Sequence, residues 1–110
     1  MGRRALVVQD ATVAMQLRET GWSVSMVDAA RAEGADDAFD LIICPLRVRT
    51  GCGARLLKRL KAEHPGARGL LVTDCLMAGE SDYLMREAVD VPLIRVPATP
   101  ALLALGIAAS

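Results

Sequence analysis

Asp40-Leu41-Ile42-Ile43-Cys44-Pro45 is the stretch on which the fold turns. An unbroken run of Leu, Ile and Ile between Asp and Pro lacks the polar alternation of a half-buried strand. It matches a strand covered on both faces, as in the middle of a parallel sheet. The sequence therefore predicts an open α/β sheet with this strand at its centre. In such sheets ligands gather at the carboxyl ends of the strands, which makes Pro45 the residue best placed for chemistry. Proline offers a carbonyl acceptor and no ionisable group, so the best-placed position carries no reactive side chain.

The chain has 110 residues, enough for one core, and the reading is a single domain over residues 1–110. It is 53% hydrophobic with one Trp, one Tyr and one Phe, so Leu, Val, Ala, Ile and Met must build that core. Thirteen basic residues balance thirteen acidic ones, and no net field calls for nucleic acid or a membrane as partner. Cys44, Cys52 and Cys75 lack a CxxC spacing, so the reading is free thiols in a reducing cytoplasm rather than disulfides or a zinc ribbon. Gln9 and Asp10 interrupt the first apolar run too early for a secretion signal, and no transmembrane span is predicted.

Strands and helices alternate along the rest of the chain. Ala5–Val8 reads as a first strand, with Asp10 as N-cap of a helix over Ala11–Thr20 that Gly21 stops. Trp22–Val27 reads as a second strand and Ala29–Phe39 as a weak helix, ahead of the central strand Leu41–Pro45. Gly53 opens a helix over Ala54–Glu63, whose Leu56, Leu57 and Leu60 form one apolar face. Gly69–Thr73 is a fourth strand, Ser81–Val89 a helix and Leu93–Val96 a fifth strand. Thr99-Pro100 then supply the N-cap and first-turn proline of a last helix reaching about Ala109. Such alternation implies parallel pairing through right-handed crossovers.

Taken together these segments resemble a bacterial response-regulator receiver domain, the flavodoxin-like module of two-component signalling, over nearly the whole chain. Ala5-Leu6-Val7-Val8-Gln9-Asp10 resembles that family's first strand and acidic pair. Asp40–Pro45 with Leu46 resembles the strand bearing the phospho-acceptor aspartate, and Gly53-Ala54-Arg55-Leu56-Leu57-Lys58 the glycine and helix beyond it. Leu70-Leu71-Val72-Thr73 resembles the strand with the switch threonine, and Leu93-Ile94-Arg95-Val96-Pro97 the last strand with its Lys-Pro step. The resemblance implies a doubly wound five-stranded parallel sheet and a cis Val96–Pro97 bond.

It also implies a phosphorylation pocket, and here the sequence departs from the pattern. Gln9 and Asp10 stand at the acidic pair, Pro45 at the acceptor, Val96 at the lysine, Thr73 at the threonine and Leu93 at the aromatic. Only Asp10 and Thr73 agree. Magnesium needs several hard oxygen ligands, which one carboxylate and an amide do not supply. Cys44 cannot replace the acceptor, because neighbours on a strand point to opposite faces. The reading is a degenerate pseudo-receiver, not an enzyme and without a cofactor, that works independently of aspartyl phosphorylation as a signalling or protein-interaction module.

Other chemistries are weaker. Cys44 with Arg47 and Arg49 resembles a cysteine-phosphatase loop, but no arginine lies six residues beyond Cys44 or Cys52. A metal site from Cys44, Cys52, Cys75 and His64 lacks a short-range ligand pair. Arg47, Arg49, Arg55, Lys58, Arg59 and Lys61 form a basic stretch without an acid, yet no aromatic residue lies among them to stack bases. An acidic protein partner fits that stretch better than nucleic acid. A small-anion binder using Arg47, Arg49 and Arg95, a thiol-dependent enzyme and weak nucleic-acid binding stand as alternatives.

The last helix has no polar side chain from Pro100 to Ala109. At 100° per residue Leu105, Leu102, Gly106, Leu103 and Ile107 sweep an arc of about 200°, roughly twice the stripe that a helix on one side of a sheet requires. An apolar surplus of this kind marks an interface. The expectation is a homodimer, or a docked partner protein, through Leu102, Leu103, Leu105 and Ile107 and their neighbours.

Overall fold

The computed structural model describes residues 3–32, 38–48, 51–74 and 91–110. The expected helix Ser81–Val89, together with Arg49, Cys75 and residues 33–37 of the expected Ala29–Phe39 helix, lies outside the described residues. The elements are β1 Arg4–Val8, α1 Ala11–Glu19, β2 Ser23–Val27, α2 Ala29–Ala32, β3 Leu41–Pro45, β4 Arg47–Val48, β5 Gly51–Cys52, α3 Gly53–Glu63, β6 Arg68–Thr73, β7 Leu93–Arg95 and α4 Pro100–Ala109.

Five strands form a parallel sheet in the order β2-β1-β3-β6-β7, with β3 at its centre. This is the doubly wound, flavodoxin-like order, in which the chain reverses direction across the sheet between β1 and β3. Registers such as Ala5↔Leu41 and Leu41↔Arg68 align the central strands. Every residue of Leu41–Cys44 is fully buried, which explains why the run contains no polar side chain.

Alternate residues of each central strand serve opposite layers. Ala5, Val7, Leu41, Ile43, Leu70 and Val72 form a core with Val13 and Leu17 of α1 and Leu103 of α4. Leu6, Val8, Ile42, Cys44 and Leu71 face Leu56, Leu57 and Leu60 of α3. The period of two on the strands thus meets the 3.6-residue period on the helices.

The helix signals have the predicted chemistry. Asp10 caps α1, its carboxylate accepting from the Val13 N–H at 3.0 Å, and Gly21 ends the turn at φ +96°. Thr99 caps α4 by accepting from the Leu102 N–H at 3.2 Å, with Pro100 in the first turn. Gly53 is a steric necessity, because a Cβ there would strike the Pro45 carbonyl oxygen. Its N–H donates to Leu46 O at 2.9 Å, drawing the start of α3 against the end of β3.

Some boundaries differ from expectation. Trp22 precedes β2, Val96 follows β7, and among the described residues the helix expected over Ala29–Phe39 is seen as Ala29–Ala32, with the buried Phe39 outside it. The antiparallel pair β4–β5 between β3 and α3 was not foreseen, since two-residue strands carry no readable period. The Val96–Pro97 bond is cis, as the resemblance implies.

The last helix requires a correction. Leu103 is 3% exposed and belongs to the core, and Ile107 packs against the same cluster. Neither lies on the free face, which instead presents Leu102 at 41% and Leu105 at 68% exposure. Gly106 sets this rotation. A Cβ on it would meet Ile94 Cδ1, so the helix approaches the sheet along its glycine side.

Candidate functional site

The carboxyl ends of β1, β3, β6 and β7 open on a cleft of about 480 Å³ lined by Asp10, Pro45, Arg47, Thr73, Asp74 and Val96. Backbone pairing continues past the strands to shape it. Leu46 N–H donates to Val72 O at 2.7 Å, and Val96 N–H donates to Thr73 O at 2.8 Å. Four of the six pocket positions expected from sequence, Asp10, Pro45, Thr73 and Val96, therefore come together.

The other two do not line this cleft. Gln9 sits at φ +62°, with its N–H donating to Val27 O at 2.9 Å, and lines a separate depression with Met26, Asp28 and Arg31. Leu93 packs against the α3-side core beside its sheet neighbour Leu71.

Arg47 and Asp74 give the cleft its charge. Arg47 Nη1 donates to Thr73 Oγ1 at 3.4 Å and stands 3.5 Å from Asp74 Oδ1. Arg95 Nε donates to the Asp74 carbonyl at 3.3 Å. With the Asp74 side chain 81% exposed, the ion pair contributes at most about 1 kcal/mol to stability. Its importance lies in placing a guanidinium beside the buried Thr73 hydroxyl. Asp74 was missed in the sequence, although a carboxylate directly after the fourth strand was a usable signal.

The residues do not fit a magnesium ion. One Asp10 oxygen is engaged by the N-terminus of α1, the Asp74 carboxylate faces a guanidinium, and Pro45 has no side-chain ligand. A divalent ion would have to enter beside the Arg47 charge without the oxygen cage it requires. Among the described residues no cluster of three His, Cys, Asp or Glu side chains can hold a metal.

Among the described residues a thiol nucleophile does not fit either. Cys44 is fully buried on the α3 side, and burial pushes its pKa up from 9.0 to about 12, which keeps it protonated. Cys52 is half-buried at the start of α3 and makes no side-chain cap.

The expected basic patch divides. Arg47 turns toward Thr73 and Asp74, whereas Arg55, Lys58 and Arg59 lie on the exposed side of α3, each with interactions of its own. Lys61 is half-buried. No helix among the described residues is long and apolar enough to cross a membrane.

No protein-family model matches the sequence, and no curated protein sequence matches it. Solved structures do. The chain is similar to a response regulator from Burkholderia pseudomallei crystallised with a phosphorylated aspartic acid and a calcium ion, at TM-score 0.74 and 20% identity, over 96% of this chain and 66% of that one. It is similar to a CheY-like response regulator receiver domain protein from Methanospirillum hungatei, at TM-score 0.75 and 23% identity, over 98% and 92%. The response regulator DrrB of Thermotoga maritima aligns at TM-score 0.75 and 21% identity, over 96% of this chain and 50% of its own. The fold is that of response-regulator receiver domains, and the chain spans under two thirds of the Burkholderia protein and half of DrrB.

Proposed function

We propose that this chain is a degenerate receiver acting as a signalling or protein-interaction module, without catalysis and without phosphoryl transfer to itself. One observation carries the reading. At the end of the central strand, where the receiver pattern has its acceptor, stands Pro45, and two residues on Arg47 brings a guanidinium to Thr73 and Asp74. The Thr73 hydroxyl thus has a cationic partner supplied by the chain itself. The partner in this reading is another protein or a second copy, met through α4, whose Leu102 and Leu105 are exposed. A reducing, cytoplasmic setting agrees with the free thiols of Cys44 and Cys52.

The test is treatment with acetyl phosphate, and separately with beryllofluoride, each with magnesium. The expected outcome is no gain of mass and no magnesium-dependent movement of the Asp10, Thr73 or Asp74 amide resonances. An aspartyl phosphate in the mass spectrum, or saturable shifts at Asp10, would defeat the reading.

A further inference from the structure

A second cavity lies at the opposite end of the strands, by the starts of β1 and β6 and away from the cleft at their carboxyl ends. It measures about 360 Å³ and opens between α1 and α4, close to where both helices end. Its inner wall is apolar, formed by Leu17, Leu103 and Ile107, and Trp22 stands at its side. Two exposed arginines line it, Arg3 just before β1 and Arg68 at the first position of β6.

The sheet explains why these cations converge. Arg3 shares a strand face with Ala5 and Val7, and Arg68 with Leu70 and Val72, so both project toward the α1 and α4 layer. The strands carrying them are separated only by β3, about 10 Å at ordinary strand spacing.

Neither cation has a carboxylate partner among the described residues. Arg3 lies over the Trp22 ring, 5.6 Å from its centroid, which positions the guanidinium without neutralising it. The bland alternative is that the arginines offset helix carbonyls, but key carbonyls at these ends are already engaged. Leu17 O accepts from the Thr20 and Trp22 N–H groups and the Thr20 hydroxyl, Arg18 O from Gly21 N–H, and Ile107 O from Ser110.

A cavity of ligand size with an apolar inner wall, and with two guanidiniums on its rim that no described carboxylate neutralises, has a defined complement. We propose that this cavity binds a small amphipathic anion, with a ring-sized apolar body against Leu103 and Ile107 and an anionic head, such as a carboxylate, held by Arg3 and Arg68. The proposal is independent of the reading of the strand-end cleft and makes the fold a carrier of a ligand input at the amino ends of its strands.

The first probe is 1-anilinonaphthalene-8-sulfonate, an apolar ring system with one anionic head, titrated into the folded full chain. Binding should saturate at about one molecule per chain, with energy transfer from Trp22, the chain's single tryptophan. Indole-3-acetate should displace it, and the uncharged indole-3-acetamide should require at least about ten times more. Arg3→Gln and Arg68→Gln should each weaken probe binding about tenfold or more, the loss expected for one charge-assisted hydrogen bond. Ala104→Phe and Ala108→Phe, at exposed positions lining the cavity, should abolish binding with circular dichroism and urea midpoint retained. Absence of saturable binding to the wild type overturns the proposal. Binding that ignores both arginine variants refutes the anionic head, and binding that survives both phenylalanines in folded variants refutes the location.

Discussion

Leu103→Ala and Leu105→Ala, two positions apart on α4, separate the core face of that helix from its free face. Leu103 is 3% exposed among Leu70, Val72 and Ile94, so its truncation removes buried area and leaves a void, at a cost of about 2–5 kcal/mol. That is a large share of the roughly 5–15 kcal/mol that holds a domain of this size together. At about 4 °C or more per kcal/mol, the melting temperature should fall by about 8 °C or more. Leu105 is 68% exposed, and its truncation should stay within about 0.5 kcal/mol in the monomer. Urea and thermal unfolding followed by circular dichroism at low micromolar protein measure both. Repeating the melts at tenfold higher concentration reads association. If α4 mediates a dimer, the wild-type midpoint rises with concentration, and Leu105→Glu abolishes that rise without unfolding the chain. A Leu105→Ala cost equal to that of Leu103→Ala, at low concentration, would refute the assigned rotation of the helix.

Two further outcomes are expected. Because burial holds the Cys44 thiol protonated up to about 12, its contribution to stability is full below the unfolded value of 9.0 and is lost as pH rises from there toward 12. Unfolding titrations between pH 8 and 11 should show wild type losing up to about 1.4 kcal/mol per pH unit relative to Cys44→Ala, and parallel curves would contradict the burial. Asp10→Ala should cost about 0.5–2 kcal/mol through loss of the α1 cap, whereas Asp10→Asn, which keeps an acceptor for the Val13 N–H, should be nearly neutral by urea unfolding. An equal loss in both variants would show that Asp10 acts through its charge rather than as a cap.

The sheet was legible because its central strands are buried on both faces, so runs such as Leu41–Cys44 contain nothing polar to confuse their reading. The α3 helix was legible for the opposite reason, since Leu56, Leu57 and Leu60 alternate with charge and reveal one face. The α4 helix offered no such contrast. A segment apolar all round has no period to read, and its rotation depends on the fit of Gly106 against Ile94, a contact between residues twelve apart. In the site, Pro45 and Val96 were visible as departures because the resemblance supplied positions to compare. The Arg47 and Asp74 pair was not, because it joins two strand ends that only the parallel register brings together.

What agrees with the receiver pattern here can be explained without phosphoryl chemistry. Gly53 is required because any side chain would strike the Pro45 carbonyl, a demand of the β3–α3 junction whatever the chemistry beside it. Asp10 caps α1, and that alone accounts for a carboxylate at the position. Thr73 is buried at the end of β6, where its hydroxyl accepts a hydrogen bond from Arg47. Gln9, Pro45, Leu93 and Val96 depart, and the two of them that line the cleft, Pro45 and Val96, occupy positions where the backbone makes no comparable demand for a charged side chain. The scaffold therefore has the receiver geometry, and the Arg47 and Asp74 pair gives its cleft charge. Under the proposed function, such a module would bias a partner through its surfaces without cycling between two chemical states.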